Sequence, residues 1–302
     1  MFMNTILHQT KSEFEFNYIY VIESLDTNEG DTLTGKNLLE NLKPYADQAK
    51  ALSTGLITVE SAAQFWDAMD YICQKAAEGE RPVIHFEIHG TDEKDGLYIK
   101  NGDVIEWPEV LYRISDINYA SGCNLMVSFA VCYGQYLAQF INATKKMPFC
   151  ISLGSFEELY EDDLEVRFFA FYKELLASFN IDKAYKALLD AKQDMPSNYS
   201  IIKADVLFAN VMKSYLDTQC SRTALKQRAE YEMDSNPAKF GNLTKEERRQ
   251  FIKDFRRCER ENHEKYYWES VESYFLLRER PENNHRFLIF DSTEMLLQAF
   301  EE

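Results

Sequence analysis

The chain predicts an α/β fold: a mostly parallel sheet with helices on both faces, followed by a mainly helical C-terminal region. Three observations predict it. Short β-rich runs bounded by turn residues alternate with segments of helical period through the first two-thirds of the chain. Alternation of that kind implies parallel strands joined by helical crossovers. From about Tyr199 the alternation gives way to long helical stripes.

Asn17–Ser24 reads as the first buried strand, and a polar loop follows from Asp26 to Gly35. Leu38, Leu39, Leu42 and Tyr45 then fall at helical spacing. Leu56–Val59 is a short strand. Glu60–Ala77 is helical, with Phe65, Met69 and Ile72 on its apolar side and Gly79 closing it. Val83–Ile88 is the central strand, opened by Pro82 and ending in His89-Gly90. Asn101-Gly102 between Leu97-Tyr98-Ile99 and Val104-Ile105 is the strongest hairpin signal in the chain. Pro108 fits the first turn of a helix running to about Asn118. Leu125–Val131 is a second apolar strand, ending in Cys132-Tyr133-Gly134. Gln135–Thr144 reads as a helix, and Pro148–Leu153 as a further buried strand.

An acidic loop with Glu157, Glu158, Glu161, Asp162 and Asp163 follows. Phe168, Phe171, Tyr172 and Leu175 then mark a helical face, and Asp182–Lys192 a shorter helix. The domain boundary falls near residue 198. Residues 1–198 form the core, and 199–302 a helical region whose stripe runs Ala204, Leu207, Phe208, Val211, Met212, Tyr215. Thr244 to about Trp268 is a long helix with charges of both signs. Arg286–Asp291 reads as a late strand that either returns to the core sheet or belongs to a separate unit.

Composition narrows the function classes. A chain of 302 residues, 45% hydrophobic and 14% aromatic, can bury a large core. Its net charge of −17 argues against general nucleic-acid or anionic-membrane binding. On the one basic-looking helix, Arg248, Arg249, Lys253, Arg256, Arg257 and Arg260 alternate with Glu246, Glu247, Asp254, Glu259 and Glu261. That pattern is i, i+4 pairing on a solvated face. The six cysteines form no C-x-x-C pair, so a zinc cage is not expected; no metal or cofactor is expected. Met1–Phe16 has no basic n-region with an apolar core, so no signal peptide is expected. No run of 18 apolar residues exists, so no membrane partner is expected either. A reducing cytoplasm, where a reactive thiol survives, fits these features.

The chemistry gathers at two strand ends. In a parallel sheet, reacting groups collect at the carboxyl edge of the strands. His89 and Cys132, 43 positions apart, each end such a strand. A thiol and an imidazole at neighbouring strand ends are the parts of a nucleophile–base pair. A turn into a helix after Cys132 would favour its thiolate. His85 shares a strand face with His89 but lies about 13 Å deeper, and reads as a buried structural histidine. Cys123 and Cys150 read as core or rim residues, and His263 and His285 as surface groups.

His-Gly and Cys-x-Gly at strand ends, in this order and with a hairpin between them, resemble the caspase-like cysteine peptidases, and within them the bacterial caspase-like and CHAT branch. The resemblance covers roughly residues 15–190. It implies Cys132 as nucleophile and His89 as the group that protonates the leaving amine and later activates water. It also implies an oxyanion hole from the backbone N–H groups of Gly90 and Cys132. The sequence departs from two branches. Ala130 stands where basic-specific members carry an Asp two residues before the Cys, and Ala130-Val131 stands where animal caspases carry Gln-Ala. Glu157 or Glu158 is the candidate carboxylate for a basic P1 side chain, a solvated acidic loop being the competing reading.

The function expected is cleavage of a protein or peptide partner, under a regulatory or activating protein. Bacterial relatives at family level act in programmes such as antiphage defence. Two other readings compete. One is an inactive scaffold that keeps the fold and binds a partner. The other is a small-molecule amidase or thioesterase.

Overall fold

The computed structural model describes residues 14–48, 52–192 and 197–300. Of the opening stretch Met1–Phe16, where no signal peptide is expected, residues 1–13 lie outside the described residues. The chain divides into two compact units, one made of 12–141 and 146–204, the other chiefly of 205–302.

The first unit is the α/β layout expected above, and it fits a caspase-like arrangement. Its elements run β1 (Tyr18–Ser24), α1 (Thr34–Ala46), β2 (Ser53–Thr58), α2 (Ala62–Ala77) and β3 (Pro82–Gly90). The hairpin β4 (Gly96–Tyr98) and β5 (Val104–Glu106) follows, then α3 (Trp107–Ala120) and β6 (Met126–Ala130). After a 3-10 helix, Gly134–Phe140, come β7 (Ile151–Ser155), α4 (Glu161–Ser178), α5 (Ile181–Asp190) and β8 (Tyr199–Lys203). The sheet order is β2-β1-β3-β6-β7-β8, with β4 continuing the pairing at the end of β3. Pairs along the main sheet are parallel except β7–β8.

The sheet's two faces follow from strand alternation. Phe86 of β3 and Phe129 of β6 stack on one face, where Phe65 of α2 and Trp107 of α3 cover them. On the other face His85 meets Phe168 and Tyr172 of α4. There too α1 lies so close that a Cβ on Gly35 would stand 2.8 Å from the Val21 side chain and 2.9 Å from that of Glu87.

Three expectations are corrected. Core strand pairing runs past residue 198, because Tyr199–Lys203 pairs antiparallel with β7 at the sheet edge. The segment after Cys132 is a seven-residue 3-10 helix rather than an α-helix to Thr144. Arg286–Asp291 forms no strand. Leu288 N–H goes to the Asp205 carboxylate and Phe290 N–H to the Tyr267 hydroxyl, which in turn donates to the Phe290 carbonyl. Side chains satisfy this backbone in place of a ladder.

The second unit contains α6 (Ala204–Gln219, whose first residue closes the other unit), α7 (Arg222–Ser235), α8 (Pro237–Phe240), α9 (Lys245–Phe275) and α10 (Thr293–Gln298). Phe208 packs on Tyr267, Tyr274 and Phe275, and Phe275 on Phe287. A capping box of Thr244 and Glu247 starts α9. The charges expected to pair at i, i+4 do pair, but at other spacings: Arg257–Asp254 at 3.0 Å is i, i+3, and Glu259 pairs across to Arg228 of α7 at 2.6 Å. His263 is half-buried rather than a surface group, and burial lowers its pKa. Among the described residues no helix is long and apolar enough to cross a membrane.

Candidate active site

The adjacent ends of β3 and β6 place Gly90 against Cys132. A Cβ on Gly90 would stand 2.0 Å from the Cys132 carbonyl oxygen, so only glycine permits this approach. The β3–β6 register pairs His85 with Ser128 and Glu87 with Ala130. His89 and Cys132 each lie two residues beyond the last of these pairs.

Backbone alternation sets the direction of the Gly90 N–H. Thr91 N donates to Gly96 O at 3.1 Å, so Thr91 and Gly96 are a hydrogen-bonded pair. Gly90 and Leu97, the next pair, are then a non-bonded one, and the Gly90 N–H turns away from β4. The hairpin lies on the β1 side, since Lys100 N donates to Ser24 Oγ at 3.0 Å. The other side is that of β6 and Cys132.

His89 ends β3 with about half its side chain exposed, 51%, and its Nε2 lies 3.0 Å from Asp31 Oδ2. Asp31 sits in the loop between β1 and α1. That oxygen also accepts the Asp26 N–H at 2.8 Å. Burial works to raise the Asp31 carboxyl, but the Asp26 N–H and the His89 ring outweigh it and hold it below its ordinary value.

Cys132 is half-buried in the turn after β6. Its Sγ accepts the Leu159 N–H at 3.3 Å and lies 3.8 Å from the Leu159 carbonyl. Burial pushes the thiol up; the Leu159 N–H opposes that, while Glu158 and Asp92 add to the rise. The helix expected to follow the thiol is a seven-residue 3-10 helix, and the rise from burial and two nearby carboxylates runs opposite to the expected thiolate bias.

Tyr133 is held in the left-handed region at φ 63°. Its N–H donates to the Glu157 carbonyl at 3.2 Å and its hydroxyl to Glu158 Oε1 at 2.8 Å. The bond to Glu158 pushes the Tyr133 phenol up to about 12. The ammonium of Lys94 lies 4.3 Å from the Tyr133 ring centre and 5.4 Å from that of Tyr136. Both acidic residues are exposed. Glu158 is tied to the turn that holds Cys132 by its carboxylate, Glu157 through its backbone.

His85 is fully buried, as expected. Its Nε2 pairs with Glu87 Oε1 at 2.9 Å and its Nδ1 with the Tyr172 hydroxyl at 3.2 Å. Tyr172 also donates to Ser128 Oγ at 3.0 Å. Glu87 accepts the Thr34 hydroxyl at 2.7 Å. Beside it, Glu23 accepts the Lys36 N–H at 3.0 Å. The start of α1, which no capping side chain serves, is thus met by a buried carboxylate. Burial raises Glu23; the Lys36 N–H opposes this and the neighbouring Glu87 adds to it. Cys123 and Cys150 are buried core residues.

Sequence reading missed Asp31. It lies 58 positions before its histidine, in a loop of turn residues, and the only available signal was its place at the carboxyl edge of β1. No family model matches the chain, and no curated protein matches it.

Proposed function

We propose that the protein is a cysteine endopeptidase of the caspase-like kind, cutting a protein or peptide partner through Cys132 and His89. The single observation that carries this reading is the close approach of Gly90 to the Cys132 backbone, beside an exposed histidine at the same strand end. In this reading the Cys132 thiol passes its proton to His89 as sulfur bonds to the scissile carbonyl carbon. Gly90 and Cys132 N–H groups hold the oxyanion. The C–N bond breaks, and the leaving amine takes the proton from His89. Water then gives a proton to His89, its oxygen attacks the thioester, and the thiol is regained.

Glu158 supports a preference for cationic P1 side chains, because its carboxylate holds the hydroxyl of Tyr133, the residue next to Cys132. Glu157 has weaker support, since its tie to the site is a backbone one. A cytoplasmic setting, an activating protein and a bacterial defence role complete the reading, all three on the family resemblance. A specific observation favours a second reading, a partner-binding scaffold without turnover: the half-buried sulfur of Cys132 is already engaged by the Leu159 N–H. Nothing in the site geometry favours an amidase or thioesterase for small molecules over these two.

The test is hydrolysis of a mixed peptide library by wild type and Cys132→Ala. Cleavage that Cys132→Ala abolishes, without loss of the folded state, supports the peptidase. Cleavage that persists in Cys132→Ala refutes the nucleophile, and folded wild type without turnover favours the scaffold.

A further inference from the structure

Resting on the peptidase reading, we propose that Asp31 is a positioning residue that holds His89 in the Nε2–H tautomer, leaving Nδ1 as the nitrogen that carries the proton in catalysis. An ionised carboxylate only accepts hydrogen bonds. At 3.0 Å from Asp31 Oδ2, the His89 Nε2 must therefore be the donor. In a neutral imidazole the lone pair then belongs to Nδ1. When Nδ1 takes a proton, the same carboxylate faces the resulting cation.

The carboxylate is held from several directions. The Asp26 N–H donates to the same oxygen, and Asp31 N donates back to Asp26 O at 3.2 Å. Asp26 itself is fixed by Asn28, whose backbone N–H and side-chain amide both reach its Oδ1 at 2.9 Å. Lys100 stands 3.9 Å from Asp26. Downstream, Thr32 donates to Glu161 at 2.8 Å and Thr34 to Glu87 at 2.7 Å. Glu87 lies two residues before His89 on β3, so one strand anchors both the imidazole and the loop that orients it. Asp31 is 18% exposed against 51% for His89. The carboxylate is the fixed member of the pair and the ring the accessible one.

The experiment combines ring nitrogen NMR with kinetics on Asp31→Asn and Asp31→Ala. Asn keeps an acceptor for the Asp26 N–H, so the loop turn survives in that variant. The neutral His89 of wild type is expected as the Nε2–H tautomer, and as a tautomer mixture in Asp31→Ala. For peptide cleavage, kcat is expected to fall about 10- to 100-fold in Asp31→Ala and less in Asp31→Asn. KM should stay within about twofold, since ground-state binding is unaltered. Wild-type His89 protonated on Nδ1, a tautomer unchanged in Asp31→Ala, or unchanged kcat in both variants would overturn the proposal. If wild type shows no Cys132-dependent cleavage, the peptidase reading fails, and the NMR arm alone decides whether Asp31 sets the ring.

Discussion

Two histidines four positions apart on β3 have opposite surroundings, and their substitutions should separate accordingly. His85 is sealed between Glu87, Tyr172 and Phe168. His85→Ala leaves a gap and strips a hydrogen bond from a buried carboxylate. It should destabilise by about 2–3 kcal/mol. His89 is half exposed and its one ion pair is at the surface, so His89→Ala should cost less than about 1 kcal/mol while removing activity. Urea melts alongside peptide turnover check both; a stable, inactive His85→Ala beside an active His89→Ala would reverse the roles. This contrast was legible in the sequence, because the two positions share a strand face and differ in depth, His85 lying inside the strand and His89 at its end. The engagement of Cys132 by Leu159 was not, since a contact across 27 positions depends on how the loop after β7 folds back.

At the scale of elements, two carboxylates test the account. Glu23 at the start of α1 has a raised pKa, so between its ordinary and raised values the folded state binds more protons than the unfolded. Stability attributable to this group therefore falls as pH rises through that window. Glu23→Gln keeps the acceptor for Lys36 N–H and removes the charge. Its melting temperature relative to wild type should climb across the window and then level off, whereas a flat difference would mean that Glu23 carries no charge penalty. Glu158 belongs to the loop after β7. In Glu158→Gln, the ratio of kcat/KM for P1 Arg over P1 Asp peptides should shrink about tenfold, about 1.4 kcal/mol; an unchanged ratio would leave Glu158 a hydrogen-bond partner of Tyr133 alone. The strands that carry the site were readable because each is apolar-rich and ends in turn residues. β8 was not, because five residues at a sheet edge, Tyr199–Lys203, give little periodicity and pair only because β7 leaves an edge open. Phe287–Phe290 misled for the converse reason: its apolar residues have strand character, yet nearby side chains take its backbone hydrogen bonds.

For the whole molecule, every candidate site residue lies in the α/β unit, on segments brought together by the ends of β1, β3, β6 and β7. The raised Cys132 thiol changes how the molecule should be probed. Cys258 is the exposed cysteine, and Cys73 and Cys220 are, like Cys132, half-buried with thiols raised by burial. A simple alkylating agent therefore reports accessibility, with Cys258 reacting first, and does not single out a nucleophile. A peptide carrying an electrophilic ketone in place of the scissile bond does, because its carbonyl needs both the attacking sulfur and the oxyanion donors. The most direct measurement is intact-mass and peptide-level mass spectrometry after such a probe, with P1 Arg, is incubated with wild type, His89→Ala and Cys132→Ala. One stoichiometric adduct is expected on Cys132 in wild type, slowed at least about tenfold in His89→Ala and absent in Cys132→Ala. Labelling spread over Cys258 and the other thiols, or unchanged by loss of His89, would contradict that expectation.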